Sequence, residues 1–186
     1  MNLARRLAPI LNQYFNDIFG KITSYGNVTH SVSGQELTIT PIDNQTMIRF
    51  DNSPNIANFI AEFDIQQNMT GAMNTVFVYR TTKWNTQGYA YAIGVSSSSY
   101  LFGKQDNGGG STAPWYDLGS KPHGVAQDSF IHFKLVINGS NHKIYANDVL
   151  IFDVNDGAFI NAGQFGVNCY IACANRHIKN LVINPL

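Results

Sequence analysis

Two tryptophans occur in the 186-residue chain, and each stands beside side chains that can hydrogen-bond. Trp84 precedes Asn85, and Trp115 heads the run Trp115-Tyr116-Asp117. Aromatic rings stack on the apolar faces of sugars, while amides, carboxylates and amines bond the hydroxyls. Tyr79, Arg80, Tyr89 and Tyr91 flank the first tryptophan, and Lys104, Asp106 and Asn107 lead towards the second, with Tyr116 directly after it. The chemistry expected of this set is recognition of a carbohydrate ligand. Large aromatics also roof cores, so each of these residues taken singly has burial as its competing reading.

Other chemistries lack their residues. Histidines 30, 123, 132, 142 and 177 are scattered, with no His-x-x-x-His spacing to set two ligands on one helical face, so no metal is expected. Asp106, Asn107, Asp117, Asp128, Asp153 and Asp156 carry oxygen ligands, but their spacing matches no calcium loop. Neither a Gly-x-Ser-x-Gly elbow nor a phosphate loop is found, so no cofactor and no nucleophilic catalysis are expected. Cys169 and Cys173 would lie about 13 Å apart on a continuous strand, too far for a disulfide, and are read as core residues. A turn at Ile171-Ala172 that joins them is the alternative. Twelve basic residues balance twelve acidic ones, which gives no field to attract nucleic acid or an anionic membrane.

The elements that must position these residues change character along the chain. Leu3, Leu7, Ile10, Leu11, Tyr14, Phe15, Ile18 and Phe19 recur at three- and four-residue steps, which predicts an amphipathic helix over residues 3–19, stopped at Gly20. Its apolar stripe needs a cover, and residues 1–22 are read as an oligomerisation or docking element. Capping its own sandwich is the alternative. The polar, turn-rich stretch 23–34 reads as a linker. From residue 35 to 186 the period becomes two. Short runs rich in β-branched and aromatic residues begin at Glu36, Met47, Asn58, Asn74, Tyr89, Ser99, Ser129, Lys143, Val149, Gln164 and His177, separated by Gly, Asn, Asp and Pro. Strands without intervening helices imply a sandwich or barrel. Asn147-Asp148 predicts a tight hairpin, and residues 106–112, Asp-Asn-Gly-Gly-Gly-Ser-Thr, predict a loop. No secretory leader and no apolar run of about 20 residues is read, which leaves an assembled particle such as a virion, or else the cytoplasm, as the expected location.

Taken in order, the runs Val78-Tyr79-Arg80, Gly88-Tyr89-Ala90-Tyr91-Ala92-Ile93, Tyr100 to Lys104, Phe130 to Ile137, Lys143 to Asp148, Gly163 to Val167 and Ile178 to Ile183 resemble the concanavalin A-like lectin/glucanase superfamily, in its laminin-G-like and phage-tail lectin-type forms. The resemblance implies an all-β, two-sheet antiparallel jelly-roll sandwich behind the N-terminal helix. It also implies a non-catalytic, lectin-like module that binds a glycan. That no leader is read, the Asn-rich, weakly charged composition and the apolar N-terminal stripe add the expectation that the module is carried as a homo-oligomer on a larger assembly such as a phage or viral particle. A structural virion protein without glycan binding is a second expectation. A third is a glycoside hydrolase, because Glu62-Phe63-Asp64-Ile65-Gln66 is similar to the Glu-x-Asp-x-Glu of family 16 enzymes. Gln66 takes the place of the second glutamate, which removes one of the two carboxylates that a retaining enzyme needs about 5–5.5 Å apart.

Overall fold

Alternating apolar side chains organise most of the chain into strands that bury one face. The computed structural model describes residues 17–42, 46–67, 75–84, 90–105, 115–169 and 175–186. Its strands are β1 (Ile22–Tyr25), β2 (Val28–Ser33), β3 (Glu36–Pro41), β4 (Thr46–Phe50), β5 (Phe59–Gln67), β6 (Thr75–Thr81) and β7 (Tyr91–Val95). The second half contributes β8 (Ser99–Lys104), β9 (Tyr116–Pro122), β10 (Ser129–Asn138), β11 (Asn141–Ala146), β12 (Val149–Asn155), β13 (Gln164–Cys169) and β14 (Arg176–Pro185). They form two seven-stranded sheets, ordered β1-β4-β13-β6-β7-β8-β9 and β12-β11-β10-β5-β14-β3-β2, with every pairing antiparallel.

The core lies between the sheets and is aromatic. Phe63 of β5 stacks on Phe77 of β6 across the interior, with ring centroids 4.1 Å apart, and Phe59 meets Tyr79 and Phe165 edge to face. Asn147 and Asp148 both have positive φ, 48° and 65°, so the hairpin between β11 and β12 takes the primed turn that its sequence predicts.

The N-terminal expectations change. Residues 1–16, which hold most of the predicted helix, lie outside the described residues. The end of the stripe is described, and there Ile18–Gly20 forms one 3-10 turn. Ile18 and Phe19 are buried in the sandwich core, with the Phe19 ring edge-on to Phe50 at 5.3 Å. The stretch read as a linker is instead two strands: β1 pairs with β4 in one sheet and β2 with β3 in the other. Its polar composition reflects edge position, because an outermost strand keeps much of its surface in water.

The two sheets differ on their outer faces. In the second sheet, β3, β10 and β11 alternate between buried and part-exposed residues, as expected when one face meets water. In the first, β4, β7 and β13 are buried on both faces. A small apolar layer therefore sits outside the first sheet.

Candidate functional site

That outer layer is built from small and apolar residues in register. One row across the sheet runs through Thr23, Arg49, Gly166, Val78, Ala92 and Gly103, and the next through Tyr25, Met47, Asn168, Val76, Gly94 and Leu101. Alternation sends these side chains outward, since their neighbours Ile48, Val167, Phe77 and Ile93 belong to the central core. Met47, Val76, Val78 and Ala92 are nonetheless buried, with Tyr25, Trp84 and Trp115 packed against them.

The tryptophans lie where the strands carry no side chain. A Cβ added at Gly166 would meet the Trp84 ring at 2.7 Å, and one at Gly103 would meet the Trp115 ring at 2.2 Å. A glycine inside a strand marks such a close approach. Tyr25 stacks on Trp84 with centroids 6.4 Å apart, and the Arg49 guanidinium lies 6.0 Å from the Tyr25 ring. Arg49 Nε donates to Asp51 Oδ1 at 2.6 Å, and Thr23 Oγ1 donates to Asp51 Oδ2 at 2.8 Å. Burial pushes the Asp51 carboxyl up, but the bonds from Thr23 and Arg49 outweigh it and hold the pKa below the ordinary carboxylate value. Two buried polar atoms of this region, Asn168 Oδ1 and Trp84 Nε1, have no hydrogen-bond partner among the described residues. Unsatisfied groups of this kind are costly and stand out in a folded protein.

The residues picked out from sequence divide into two groups. Trp84 and Trp115 come to the same outer face, about three strand spacings or roughly 14 Å apart, and Tyr116 lies 52% exposed on the edge strand β9. Tyr79, Arg80, Tyr91 and Lys104 do not join them. The side chains of Tyr79 and Tyr91 point into the core, and Lys104 pairs with Asp156. Tyr79 and Arg80 form a bulge against the single residue Phe165, because Gly166 pairs with Val78 while Gln164 pairs with Thr81. At φ 55° Arg80 turns its buried guanidinium to the carbonyls of Ala57, Gly139 and Phe159, at 2.8, 2.8 and 3.1 Å. Tyr79 donates to His142 Nδ1 at 2.8 Å, and Tyr91 to Asp156 Oδ1 at 2.7 Å. Burial raises the pKa of both tyrosines, so they stay protonated donors. This is a structural network that closes one end of the sandwich. Asn85, Tyr89, Asp106 and Asn107 lie outside the described residues.

Sequence reasoning missed Tyr25, Arg49, Asp51 and Asn168. Arg49 left a signal, as a charge between the inward Ile48 and Phe50, and so did the mid-strand glycines. Glu62 and Asp64 lie on the outer face of the opposite sheet, where Glu62 pairs with Lys134 at 3.0 Å and Asp64 with His132 at 2.8 Å and Asn180 at 2.7 Å. Gln66 donates to the Asp128 carbonyl. These residues form a cross-strand polar ladder of one ion pair, Glu62–Lys134, and side-chain hydrogen bonds, a common way to stabilise a solvated sheet face. Among the described residues, no group of three or more His, Cys, Asp or Glu could hold a metal ion, and no helix is long and apolar enough to cross a membrane.

The architecture is a two-sheet jelly-roll sandwich, and its fold is shared by solved structures that include a carbohydrate-binding module. No protein-family model and no curated protein matches the sequence. Among solved structures, the carbohydrate-binding module CBM66 from Bacillus subtilis is 22% identical, with a TM-score of 0.69 over 88% of this chain and 94% of that one. The exoplasmic/lumenal domain of VIP36, in a form bound to calcium and mannose, is 10% identical with a TM-score of 0.65 over 89% and 83%. The binding domain of botulinum neurotoxin serotype D is 12% identical, with a TM-score of 0.58 over 89% of this chain and 43% of that chain. At these identities the likeness is one of fold.

Proposed function

We propose that this protein is a non-catalytic glycan-binding module whose site is the outer face of the first sheet. The observation that carries the reading is the pair of tryptophans on mid-strand glycines of one face, beside an arginine–aspartate pair. Indole rings give a sugar its stacking surface, and the guanidinium and carboxylate give donors and acceptors for its hydroxyls. The fold, shared with a module named for carbohydrate binding and with a domain solved in a calcium- and mannose-bound form, supports the same reading. The carboxylates of β5 lie on the far sheet, Glu62 with Lys134 and Asp64 with His132 and Asn180, away from the tryptophan face. A glycan array followed by calorimetry tests the proposal: the protein binds a glycan, and Trp84→Ala and Trp115→Ala each weaken binding by about 2 kcal/mol or more while circular dichroism still reports the folded sandwich. No binding to any glycan at millimolar concentration refutes it.

A second proposal concerns display. The apolar stripe from Leu3 to Phe15 continues into Ile18 and Phe19, which anchor it to the sandwich. Self-association through that stripe would present the module as a homo-oligomer on a larger assembly such as a phage or viral particle. Removal of residues 1–16, which spares the anchor, converts an oligomer to a monomer by light scattering. Equal masses for the full chain and the truncated chain rule the stripe out as the contact.

A further inference from the structure

We infer that β2 is a pairing edge for a second copy of this chain, which adds antiparallel to it about a two-fold axis through His30. The inference goes beyond the glycan-binding reading and gives the homo-oligomer proposed above a second contact, separate from the apolar stripe.

The four sheet edges are not alike. β1 and β9 are outermost in the first sheet, and β12 and β2 in the second. An outermost strand presents unpaired backbone donors and acceptors, and short length, charges, prolines or bulges discourage another chain from adding there. Three of the four edges carry such devices. β1 has only four residues. β9 holds Asp117, Lys121 and Pro122 and is bulged against β8, and β12 holds Asp153 and is bulged against β11. β2, Val-Thr-His-Ser-Val-Ser, has no acidic residue, lysine, arginine or proline, runs in unbroken register with β3, and is exposed from Thr29 to Ser33.

The ladder with β3 fixes which backbone groups of β2 are open. Bonded and non-bonded pairs alternate along an antiparallel ladder, and the Ile42 N–H donates to the Asn27 carbonyl at 2.9 Å. Asn27, Thr29, Ser31 and Ser33 therefore bond towards β3. Pro41, opposite Val28, has no N–H to give, which agrees with that phase. Val28, His30 and Val32 turn both N–H and C=O to the open edge. Their side chains lie on the core side, opposite Pro41, Ile39 and Leu37, where Val28 packs against the core and Val32 is left 43% exposed.

The sequence of the edge fits itself. Val28-Thr29-His30-Ser31-Val32 is a palindrome of side-chain types: valine, hydroxyl, histidine, hydroxyl, valine. Antiparallel pairing centred on His30 sets Val28 opposite the second copy's Val32, and Thr29 opposite its Ser31. Each pair of outward residues then exchanges two backbone hydrogen bonds, and the β-branched and hydroxyl pairs are favourable cross-strand neighbours. Moving the centre by one residue leaves Val28 or Val32 without an outward counterpart. No charged side chain on β2 opposes the approach, and the contact closes as an isologous dimer. A single six-residue edge offers less than the roughly 800 Å² per partner of a stable interface, so dilute chains without the stripe stay monomeric. Copies held together by the stripe meet at an effective concentration in roughly the millimolar range, where a weak edge contact forms.

Hydrogen exchange and cross-linking on the full chain test the inference. At about 0.5 mM, the Val28 and Val32 amides exchange about tenfold or more slowly in the wild type than in His30→Lys, which sets two lysines face to face. Under mild oxidation His30→Cys forms a disulfide-linked dimer through position 30, and the wild type forms none. Thr29→Cys and Ser31→Cys couple with each other when mixed but not alone, because only residues directly opposite come within disulfide reach. Equal exchange in the wild type and His30→Lys, or Thr29→Cys that couples to itself as readily as to Ser31→Cys, overturns the inference. If the full chain is an oligomer that shows neither the protection nor the cross-link pattern, the stripe reading stands and this one fails. If removing residues 1–16 leaves the mass unchanged while the pattern is found, this one stands and the stripe reading fails.

Discussion

Acid should destabilise this protein well above the ordinary carboxylate range, and His142 is the reason. The residue is fully buried at one end of the core, where its Nδ1 accepts the Tyr79 hydroxyl at 2.8 Å and its Nε2 donates to the Asp156 carbonyl at 3.3 Å. That pattern assigns the neutral ring with its proton on Nε2. Burial, reinforced by the nearby Arg80 guanidinium, drives its pKa down from 6.5 to about 4. Once the pH falls below 6.5 the unfolded chain takes up a proton that the folded chain refuses until about pH 4. The stabilisation is therefore complete above pH 6.5 and is lost between 6.5 and 4. At about 1.4 kcal/mol per pH unit, the loss across this window is roughly 3 kcal/mol. Asp51 and Asp156 are held below their ordinary value of 3.8, so their contributions are lost beneath this window and do not blur it. Urea denaturation at pH 7 and at about pH 4.5 measures the effect, with His142→Gln as a control that keeps an amide in place but cannot titrate. A wild-type protein that loses no more stability between the two pH values than His142→Gln refutes the assignment.

Three further outcomes test the framework. Phe63→Ala, which removes the ring stacked on Phe77 and Phe133, should cost about 3–5 kcal/mol in chemical denaturation. Arg80→Met should cost at least about 3 kcal/mol, because it strips three carbonyls of their shared donor, and the melting temperature should drop accordingly. Glu62→Gln, on the exposed ladder with Lys134, should change stability by less than about 1 kcal/mol by the same denaturation assay, and a larger effect would mean that the ladder organises its sheet.

The sandwich was largely legible in the sequence because the second sheet writes its burial in period two. Glu36–Pro41 and Ser129–Asn138 of that sheet, and Ser99–Lys104 of the first, occupy the spans that their alternation indicates. Three strands were not legible. β1 and β2 are polar edge strands, and β9, Tyr-Asp-Leu-Gly-Ser-Lys-Pro, combines a glycine, a proline and two charges that read as a turn but also suit an unprotected sheet edge. The candidate face was half legible. Trp84 and Trp115 were identifiable as residue types, but Tyr25, Arg49 and Asn168 are set beside Trp84 by strand pairing, of β1 with β4 and of β4 with β13, the latter joining segments more than a hundred residues apart. Tyr79, Arg80 and Tyr91 misled for the converse reason. Their polar tips suggest a ligand, yet His142, Asp156 and three backbone carbonyls satisfy those tips within the protein.

The Arg80 clasp also limits where the chain can be altered. One guanidinium holds the segment before β5 through Ala57, the β10–β11 turn through Gly139, and the stretch after β12 through Phe159. The close packing of Gly163 on the Arg80 backbone, where a Cβ would come within 2.3 Å, ties down a fourth point. Lengthening any one of these connections moves a carbonyl that shares its donor with two others, so these loops are not independent sites for insertion. The Asn147-Asp148 turn at the tip of β11 and β12 is exposed and free of that clasp. A fused tag, fluorophore or second module placed there leaves both the clasp and the aromatic face intact, which makes it the natural handle for turning this sandwich into a probe.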